Sequence, residues 1–155
     1  MHDLSDLVAP DAILPRLSAT SRRQALQMMA DTLAKSAGID ARGIFEAVLM
    51  RERLSGTGMG EGVAIPHASV SGLKQPLGCF ARLDPPHDFD AMDARPADLV
   101  FMLVSPADRN ADHLKALARL SRFLRKTETR EKLRAARGID DLRALIAGAI
   151  HSDAA

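Results

Sequence analysis

The sequence predicts one domain of the α/β class, in which helices pack on a mixed sheet. Apolar residues recur at helical spacing before residue 54 and after residue 110, whereas the segments between contain short apolar runs typical of strands. One run, Leu99–Val104, is continuously apolar and precedes Ser105-Pro106, as in a fully buried central strand. A chain of 155 residues is long enough to bury one substantial core. We therefore expect a single α/β sandwich domain over residues 1–155.

Two helices are predicted in the first third of the chain. Ser21 and Gln24 have the spacing of a capping box, in which the two side chains satisfy backbone N–H groups at a helix start. Gly38 provides a C-terminal stop for this helix. Asp40 is expected to cap a second helix that ends near residue 54.

The predicted strands lie on both sides of the glycine-rich middle of the chain. A short edge strand is expected around Ile13-Leu14, in a segment that also contains two prolines. Leu77–Leu83 is predicted as a strand that ends at Pro85-Pro86, and residues 88–93 are expected at the edge of a hairpin.

Three helices are predicted after the buried strand. Asn110 is expected to cap a long helix, and Thr127 to cap the next one. Gly138 is expected to break that helix, and Asp140 to start the last one.

The segment Arg51–Ala68 has the features expected of a functional loop. It crosses four alternate glycines, which allow close approach of the backbone to a ligand or to another chain segment: Gly56, Gly58, Gly60 and Gly62. It then enters an apolar segment that ends at Pro66, whose ring stiffens the support of His67. An imidazole held in this way suits proton or phosphoryl transfer. The alternative is a glycine-rich hairpin that carries a surface histidine.

Two familiar glycine loops do not fit this segment. A Walker loop requires a Lys-Ser or Lys-Thr pair, which follows none of these glycines. A dinucleotide fingerprint requires the order strand, glycine loop, helix, whereas here the predicted helix comes first.

The other histidines differ in their surroundings. His2 and His151 lie near the ends of the chain and His87 follows two prolines, so we expect all three to be solvated. His113 falls in the first turn of the helix predicted to start at Asn110, where free N–H groups and the helix dipole favour an anion. Packing of His113 on the apolar face of that helix is the alternative.

Residues Arg51–His67 resemble the active-site signature of the enzyme IIA domains of the bacterial phosphotransferase system, fructose/mannitol class, and are closest to its nitrogen-regulatory branch. That signature is similar to R-E-x-L-G-S-T-G-I-G-x-G-V-A-I-P-H. The chain retains most of it, namely Arg51, Glu52, Leu54, Thr57, Gly58, Gly60, Gly62 and Val63–His67. It departs at Ser55-Gly56, where the family usually has Gly-Ser, and at Ala68-Ser69, where Gly and a basic residue are common. Further matches at residues 98–101, 105–107 and 113–117 extend the resemblance over a core of about residues 4–146, and we expect residues 151–155 to be a frayed tail.

The resemblance implies both a fold and a site. The fold is a three-layer α/β/α sandwich with about five strands. His67 would be phosphorylated by an HPr-like phosphocarrier protein of NPr type, with His113 beside it and Arg51 holding the phosphoryl group. Arg51 has a planar guanidinium suited to phosphate oxygens. The alternative is that it caps the end of its own helix on the solvent side. The glycine loop would supply backbone N–H groups near the phosphate, from Thr57, Gly58, Gly60 and Gly62.

Composition and charge exclude several other functions. A net charge of +1 and the lack of Trp and Tyr argue against binding of nucleic acid. The single cysteine, Cys79, lies in an apolar run and is expected to be buried and free, as in a reducing cytoplasm. No apolar run approaches the ~20 residues that span a bilayer, and the N-terminus does not resemble a signal peptide. No histidine pair has the spacing of zinc ligands, so we expect no metal or cofactor, and Asp98 is expected to be a structural partner.

Three functions remain open on the sequence. The first, which we favour, is a cytoplasmic phosphoryl carrier that regulates target proteins according to its phosphorylation state. The second is a sugar-transport IIA component that passes the phosphoryl group to a IIB domain. The third is a module that binds an anion without covalent chemistry.

Overall fold

A mixed sheet forms the centre of the molecule, which we describe from a computed structural model for residues 4–148. Within this range the sheet has six strands, one more than expected: β1 (Val8–Leu17), β2 (Gly58–Gly60), β3 (Val63–Ala64), β4 (His67–Val70), β5 (Leu77–His87) and β6 (Ala97–Pro106). Their order is β1-β5-β6-β3-β2, and β4 also pairs with β6. Strand β5 is antiparallel to β6, whereas β3 and β4 run parallel to β6, one after the other.

Helices cover both faces of the sheet. In the part of the chain that the structure describes there are five: α1 (Arg22–Ala37), α2 (Ala41–Leu54), α3 (Asn110–Arg125), α4 (Thr127–Ala135) and α5 (Ile139–Ile146). The first two pack on each other and on strands of one face, and the last three cover the other face. The predicted α/β/α sandwich is therefore confirmed.

Strand β6 lies at the centre of the core, as predicted. Nine of its ten residues are buried, which explains its unbroken apolar sequence. Phe101 lies opposite Phe80 of β5, with ring centroids 4.8 Å apart, and meets the edge of Phe123 from α3 at 6.2 Å. Cys79 is also fully buried, and burial raises the pKa of its thiol to about 12, which confirms the expected structural role.

The predicted ends of the first two helices are confirmed. The Ser21 hydroxyl accepts a hydrogen bond from the Gln24 N–H at 3.0 Å, and the Gln24 side chain accepts one from the Thr20 N–H. Gly38 ends α1 with a left-handed φ of 72°. The Asp40 carboxylate accepts a hydrogen bond from the Gly43 N–H at 3.1 Å.

The predicted caps of the later helices are wrong. Asn110 and Thr127 are the first residues of α3 and α4, so they follow the capping positions, and neither helix has a side-chain cap. The hydroxyl of Thr127 instead accepts a hydrogen bond from Arg130. Helix α5 begins at Ile139, one residue earlier than predicted.

Strands β1 and β5 are longer than predicted because prolines interrupt their pairing without ending them. The register of β1 on β5 is irregular in two intervals, and these contain Pro10 and Pro15. Similarly, β5 continues past Pro85-Pro86 to pair His87 with Ala97, after an irregularity. A proline lacks the N–H that a regular ladder needs, and such breaks and edge positions accommodate it. Strand β1 does lie at a sheet edge, as expected.

The remaining expectations concern His87, the hairpin after β5, the ends of the chain and membrane-spanning helices. His87 is not freely solvated, because it is half-buried and its Nε2 lies 2.8 Å from the carbonyl oxygen of Ala19. Residues 88–96 connect β5 to the antiparallel β6, so the expected hairpin is present there. His2, His151 and the expected tail at 151–155 lie outside the described residues. Among residues 4–148, no helix is both long and apolar enough to cross a membrane.

Candidate functional site

The backbone of His67 is held by the centre of the sheet. This residue begins β4 and lies opposite Leu103 of β6. Just before it, the carbonyl of Pro66 accepts a hydrogen bond from the Leu103 N–H at 2.9 Å. The stiff support that Pro66 was predicted to provide is thus tied to the most buried strand of the protein. The imidazole itself is only half-buried.

One hydrogen bond determines which nitrogen of His67 is free. Its Nδ1 lies 2.7 Å from the backbone carbonyl oxygen of Ile65. A carbonyl can only accept, so Nδ1 carries the hydrogen and the neutral ring has its lone pair on Nε2. Burial lowers the pKa of His67, opposed by the Ile65 hydrogen bond, and the positive charge of Arg51 lowers it further. At neutral pH, His67 is therefore a neutral imidazole with a nucleophilic Nε2.

His113 lies beside His67, as predicted. The two ring centroids are 5.5 Å apart, with the rings tilted by 47°. His113 projects from the start of α3, and its backbone N–H donates to the Arg109 carbonyl, so that group is not free for an anion. Its Nδ1 lies 2.5 Å from the hydroxyl of Ser105 at the end of β6. Burial lowers the pKa of His113, and the neighbouring His67 lowers it further.

Arg51 lies in the last turn of α2 and contacts both the helix end and the cleft of His67. Its Nη1 donates to the Ser55 carbonyl at 2.7 Å, which is a capping contact. Arg51 also lines a cleft of about 300 Å³ together with His67. A guanidinium has five N–H donors, so both interpretations of Arg51 are compatible with this arrangement.

The start of the glycine loop is pinned by Glu52, a residue to which the sequence analysis gave no role. This carboxylate is 3% exposed and accepts from the Thr57 N–H at 2.9 Å and from the Thr57 hydroxyl at 2.6 Å. The carbonyl of Thr57 in turn accepts from the N–H of Ile65. Glu52 thereby fixes the segment that presents the Ile65 carbonyl to His67. The sequence did contain a signal for this role. Glu52 is an acidic residue in the last turn before a glycine loop, although negative charge is unfavourable at a helix C-terminus.

The four loop positions expected to supply backbone N–H groups are divided between two places. Thr57 and Gly58 line the cleft with His67, but their N–H groups donate to Glu52 and to the Phe89 carbonyl. The other two, Gly60 and Gly62, do not line this cleft. Both have left-handed φ angles, of 90° and 78°. They form the tip of the β2–β3 hairpin, where residues 60–62 are held by side chains from elsewhere in the fold.

The hairpin tip is held by an ion pair that confirms the structural role expected for Asp98. Arg134 of α4 makes a bidentate contact to the Asp98 carboxylate at 2.9 and 2.8 Å. It also donates to the Glu61 carbonyl at 2.7 Å. The Glu61 N–H donates to the carboxylate of Asp93 at 2.8 Å, and the backbone hydrogen bonds of Glu61 and Arg95 lower the pKa of Asp93.

The site residues therefore come from four segments of the chain. Helix α2 contributes Arg51, β4 contributes His67, β6 contributes Ser105 and α3 contributes His113. Over residues 4–148, no group of three or more histidine, cysteine, aspartate or glutamate side chains is arranged to hold a metal ion. Chemically, the arrangement offers one free imidazole nitrogen as a nucleophile, a second imidazole next to it and a guanidinium in the same cleft.

Comparison with known proteins gives one family for nearly the whole chain. Residues 6–149 match the family model described as "Phosphoenolpyruvate-dependent sugar phosphotransferase system, EIIA 2". The chain is similar to the "Nitrogen regulatory protein" of Bradyrhizobium diazoefficiens, with 49% identity over 93% of this chain and 94% of that protein. It is also similar to the protein of the same name from Pseudomonas aeruginosa, with 36% identity over 88% of this chain and 89% of the relative.

The fold has solved counterparts as well. The nitrogen regulatory protein IIA-Ntr of Neisseria meningitidis superposes with a TM-score of 0.84 at 30% identity, covering 92% of this chain and 97% of that one. These similarities cover almost the full length of both partners in each comparison.

Proposed function

The chain belongs to the EIIA type 2 family of the phosphoenolpyruvate-dependent sugar phosphotransferase system, and we propose that it is a phosphoryl carrier of a nitrogen-regulatory phosphotransferase system that is modified on Nε2 of His67. The site assignment rests on the hydrogen bond from Nδ1 of His67 to the Ile65 carbonyl. It leaves Nε2 as the nitrogen with a lone pair, in a ring that is half-buried and neutral.

The phosphoryl group passes directly from the donor protein to His67. The Nε2 lone pair of His67 attacks the phosphorus of a phosphohistidine on an HPr-like carrier of NPr type. A new P–N bond forms while the donor's P–N bond breaks, and the donor imidazole keeps that electron pair. The ring of His67 becomes positively charged as the bond forms, and its Nδ1–H stays on the Ile65 carbonyl, which stabilises that charge. His67 has no proton to lose from the attacking nitrogen.

The phosphoryl oxygens carry negative charge that the cleft must offset. Arg51 lines the cleft and has N–H donors beyond the one bound to Ser55. His113 lies next to His67, and a ring nitrogen of His113 that carries a hydrogen can donate a hydrogen bond to the phosphoryl group. Because the N–H groups of Thr57 and Gly58 are already used, we assign those residues to shaping the cleft rather than to binding phosphate.

Two observations favour a regulatory carrier over the alternatives. The relatives described above bear the name nitrogen regulatory protein, at 49% and 36% identity. A free nucleophilic nitrogen with no proton to remove suits covalent transfer better than simple anion binding. We propose that the carrier acts in the cytoplasm and binds regulatory target proteins according to its phosphorylation state. Transfer onward to a sugar-specific IIB domain remains the second candidate, since the family description names the sugar system.

Incubation with a phosphorylated HPr-type donor, followed by intact mass spectrometry, tests this function. We expect one added phosphoryl group that is labile in acid and stable in alkali, as for a phosphoramidate. His67→Ala should abolish it, while His87→Ala, which changes a half-buried histidine elsewhere, should not. A phosphoryl group that persists in His67→Ala would refute the assignment, and no incorporation at all would favour the anion-binding module. Transfer from the phosphorylated protein to a IIB domain would favour the sugar-transport role.

His113 should give a different phenotype from His67. If it only contacts the phosphoryl oxygens, His113→Ala should still accept phosphate, but more slowly, whereas His67→Ala should accept none. Stopped-flow measurement of phosphorylation, with folding checked by circular dichroism, separates the two roles. A wild-type rate in both directions for His113→Ala would make His113 a packing residue.

A further inference from the structure

Ser105 is a buried polar residue at the end of the central strand, and its side chain contacts the site. It is 0% exposed, and its hydroxyl oxygen lies 2.5 Å from Nδ1 of His113. In the part of the chain that the structure describes, this is the one hydrogen bond of the Ser105 hydroxyl. Neither the sequence motif nor the proposed reaction assigns it a role.

The direction of this hydrogen bond follows from counting donors and acceptors. A hydroxyl has one hydrogen, and leaving it buried without an acceptor is unfavourable. If His113 donated from Nδ1, the Ser105 hydrogen would have no acceptor. If Ser105 donates to Nδ1, both groups are satisfied. The neutral ring of His113 must then carry its hydrogen on Nε2.

We propose that Ser105 is a positioning residue that fixes His113 as the Nε2–H tautomer and so makes it a hydrogen-bond donor to the phosphoryl group. This inference rests on the proposed function of His67. It assigns opposite tautomers to two rings only 5.5 Å apart. The carbonyl at Nδ1 of His67 leaves a lone pair on its Nε2, whereas the hydroxyl at Nδ1 of His113 leaves an N–H on its Nε2. His67 can therefore act as the nucleophile and His113 as a hydrogen-bond donor while both rings are neutral.

Without Ser105, a neutral His113 would be free to adopt either tautomer. The tautomer with hydrogen on Nδ1 would turn the lone pair of Nε2 toward the phosphoryl oxygens, which repel it. Only part of the population would then assist transfer. Loss of the serine hydroxyl should therefore slow the reaction through His113 and not through His67.

The tautomers can be measured without any phosphoryl donor. Two-bond ¹H–¹⁵N correlation spectra of the wild-type protein at about pH 8, above the ordinary histidine pKa, report which ring nitrogen carries hydrogen. We expect His113 to carry it on Nε2 and His67 to carry it on Nδ1. Hydrogen on Nδ1 of His113 would overturn the proposal. Because the measurement uses the unmodified protein, its result stands whether or not His67 accepts phosphate.

The effect on transfer is tested with Ser105→Ala. We expect it to slow acceptance of the phosphoryl group about two- to tenfold, because only part of the His113 population would keep its hydrogen on Nε2. The double variant Ser105→Ala/His113→Ala should be no slower than His113→Ala alone, because Ser105 acts through His113. A double variant that is slower than His113→Ala by the same factor as Ser105→Ala is slower than wild type would overturn the proposal. Thr129→Val, which removes another buried hydroxyl in α4, serves as the control and should transfer at the wild-type rate. If Ser105→Ala does not fold, the spectra of the wild-type protein still test whether His113 carries its hydrogen on Nε2.

Discussion

The reactivity proposed for His67 depends on a balance of effects around a single imidazole. Burial disfavours the charged ring, while the carbonyl of Ile65 favours it by accepting from Nδ1. Burial is the larger effect, and Arg51 adds to it, so the pKa of His67 falls below its ordinary value of 6.5. The pKa of His113 falls for the same main reason, with His67 as the second cause. The pair therefore stays neutral at a pH where free histidine is partly charged.

A titration followed by NMR checks this balance. We expect both rings to titrate below pH 6.5, and His67→Ala to raise the pKa of His113 by removing a neighbouring charge and some burial. In each case the unfolded state binds the proton first as the pH falls. The contribution of these histidines to stability is therefore complete above about pH 6.5 and is lost as the pH drops through the folded-state pKa. A titration midpoint at or above pH 6.5 for either ring would contradict the lowered pKa expected for that histidine.

Arg51→Gln tests whether the guanidinium stabilises the transferring group. We expect slower single-turnover transfer, corresponding to a loss on the order of 2–4 kcal/mol in the transition state. Arg53→Gln removes an exposed arginine from the same turn of α2 and serves as the matched control. If capping of Ser55 is the only role of Arg51, both variants should transfer equally fast.

At the scale of secondary-structure elements, the glycine loop is shaped by the segment that crosses it. A side chain at Gly56 would overlap the carbonyl oxygen of Phe89, and a Cβ at Gly58 would lie 2.9 Å from that oxygen. The Gly58 N–H donates to the same carbonyl. The departure from the family signature at Ser55-Gly56 therefore puts the residue without a side chain where the backbone of Phe89 comes closest.

The same substitution should have opposite effects at two glycines of this region. Gly56→Ala forces apart the loop and the Phe89 backbone, and we expect it to destabilise the protein by about 1–3 kcal/mol. Gly43→Ala lies inside α2, where the added Cβ would make an ordinary 3.5 Å contact with Asp40, so helix propensity should stabilise it by up to about 1 kcal/mol. Urea unfolding of both variants measures the difference. Equal effects would mean that the close approach at Gly56 has no energetic consequence.

The sequence predicts the starts of the first two helices correctly, misplaces the caps of α3 and α4 by one residue, and predicts tertiary contacts poorly. The caps Ser21 and Asp40 are predicted correctly, because the backbone N–H group that each side chain binds lies only three residues away. The proximity of His67 and His113 is predicted only through the family resemblance, since the two histidines lie in separate matching segments. The N–H groups of the glycine loop are not predicted, since their partners include Phe89, some thirty residues further on. The lengths of β1 and β5 are also missed, because pairing across a break depends on the neighbouring strand.

At the scale of the whole molecule, helix α4 holds the hairpin tip against the sheet. Arg134 of α4 connects that layer to Asp98 at the start of β6 and to the hairpin tip at Glu61. The pair is partly buried, with side-chain exposures of 27% and 31%. His67 and Ile65, in contrast, are held directly by β6 and by the start of the loop. The anchoring of the hairpin tip and that of the nucleophile are therefore largely separate.

This separation predicts that stability and transfer respond differently when the ion pair is broken. Asp98→Asn removes the charge that pairs with Arg134, and we expect a loss of about 1–2 kcal/mol in the free energy of unfolding, since the pair is bidentate and partly shielded from water. The exposed pair of Arg137 with Asp141 provides the control, because water screens its charges and Asp141→Asn should cost much less than Asp98→Asn. In the folded Asp98→Asn protein the phosphorylation rate should stay within about twofold of wild type, because no hydrogen bond to His67, Ile65 or Pro66 is changed. Urea unfolding and stopped-flow phosphorylation of the same samples test both halves. A large loss of transfer rate at unchanged stability would show that the hairpin tip governs the geometry of His67 after all.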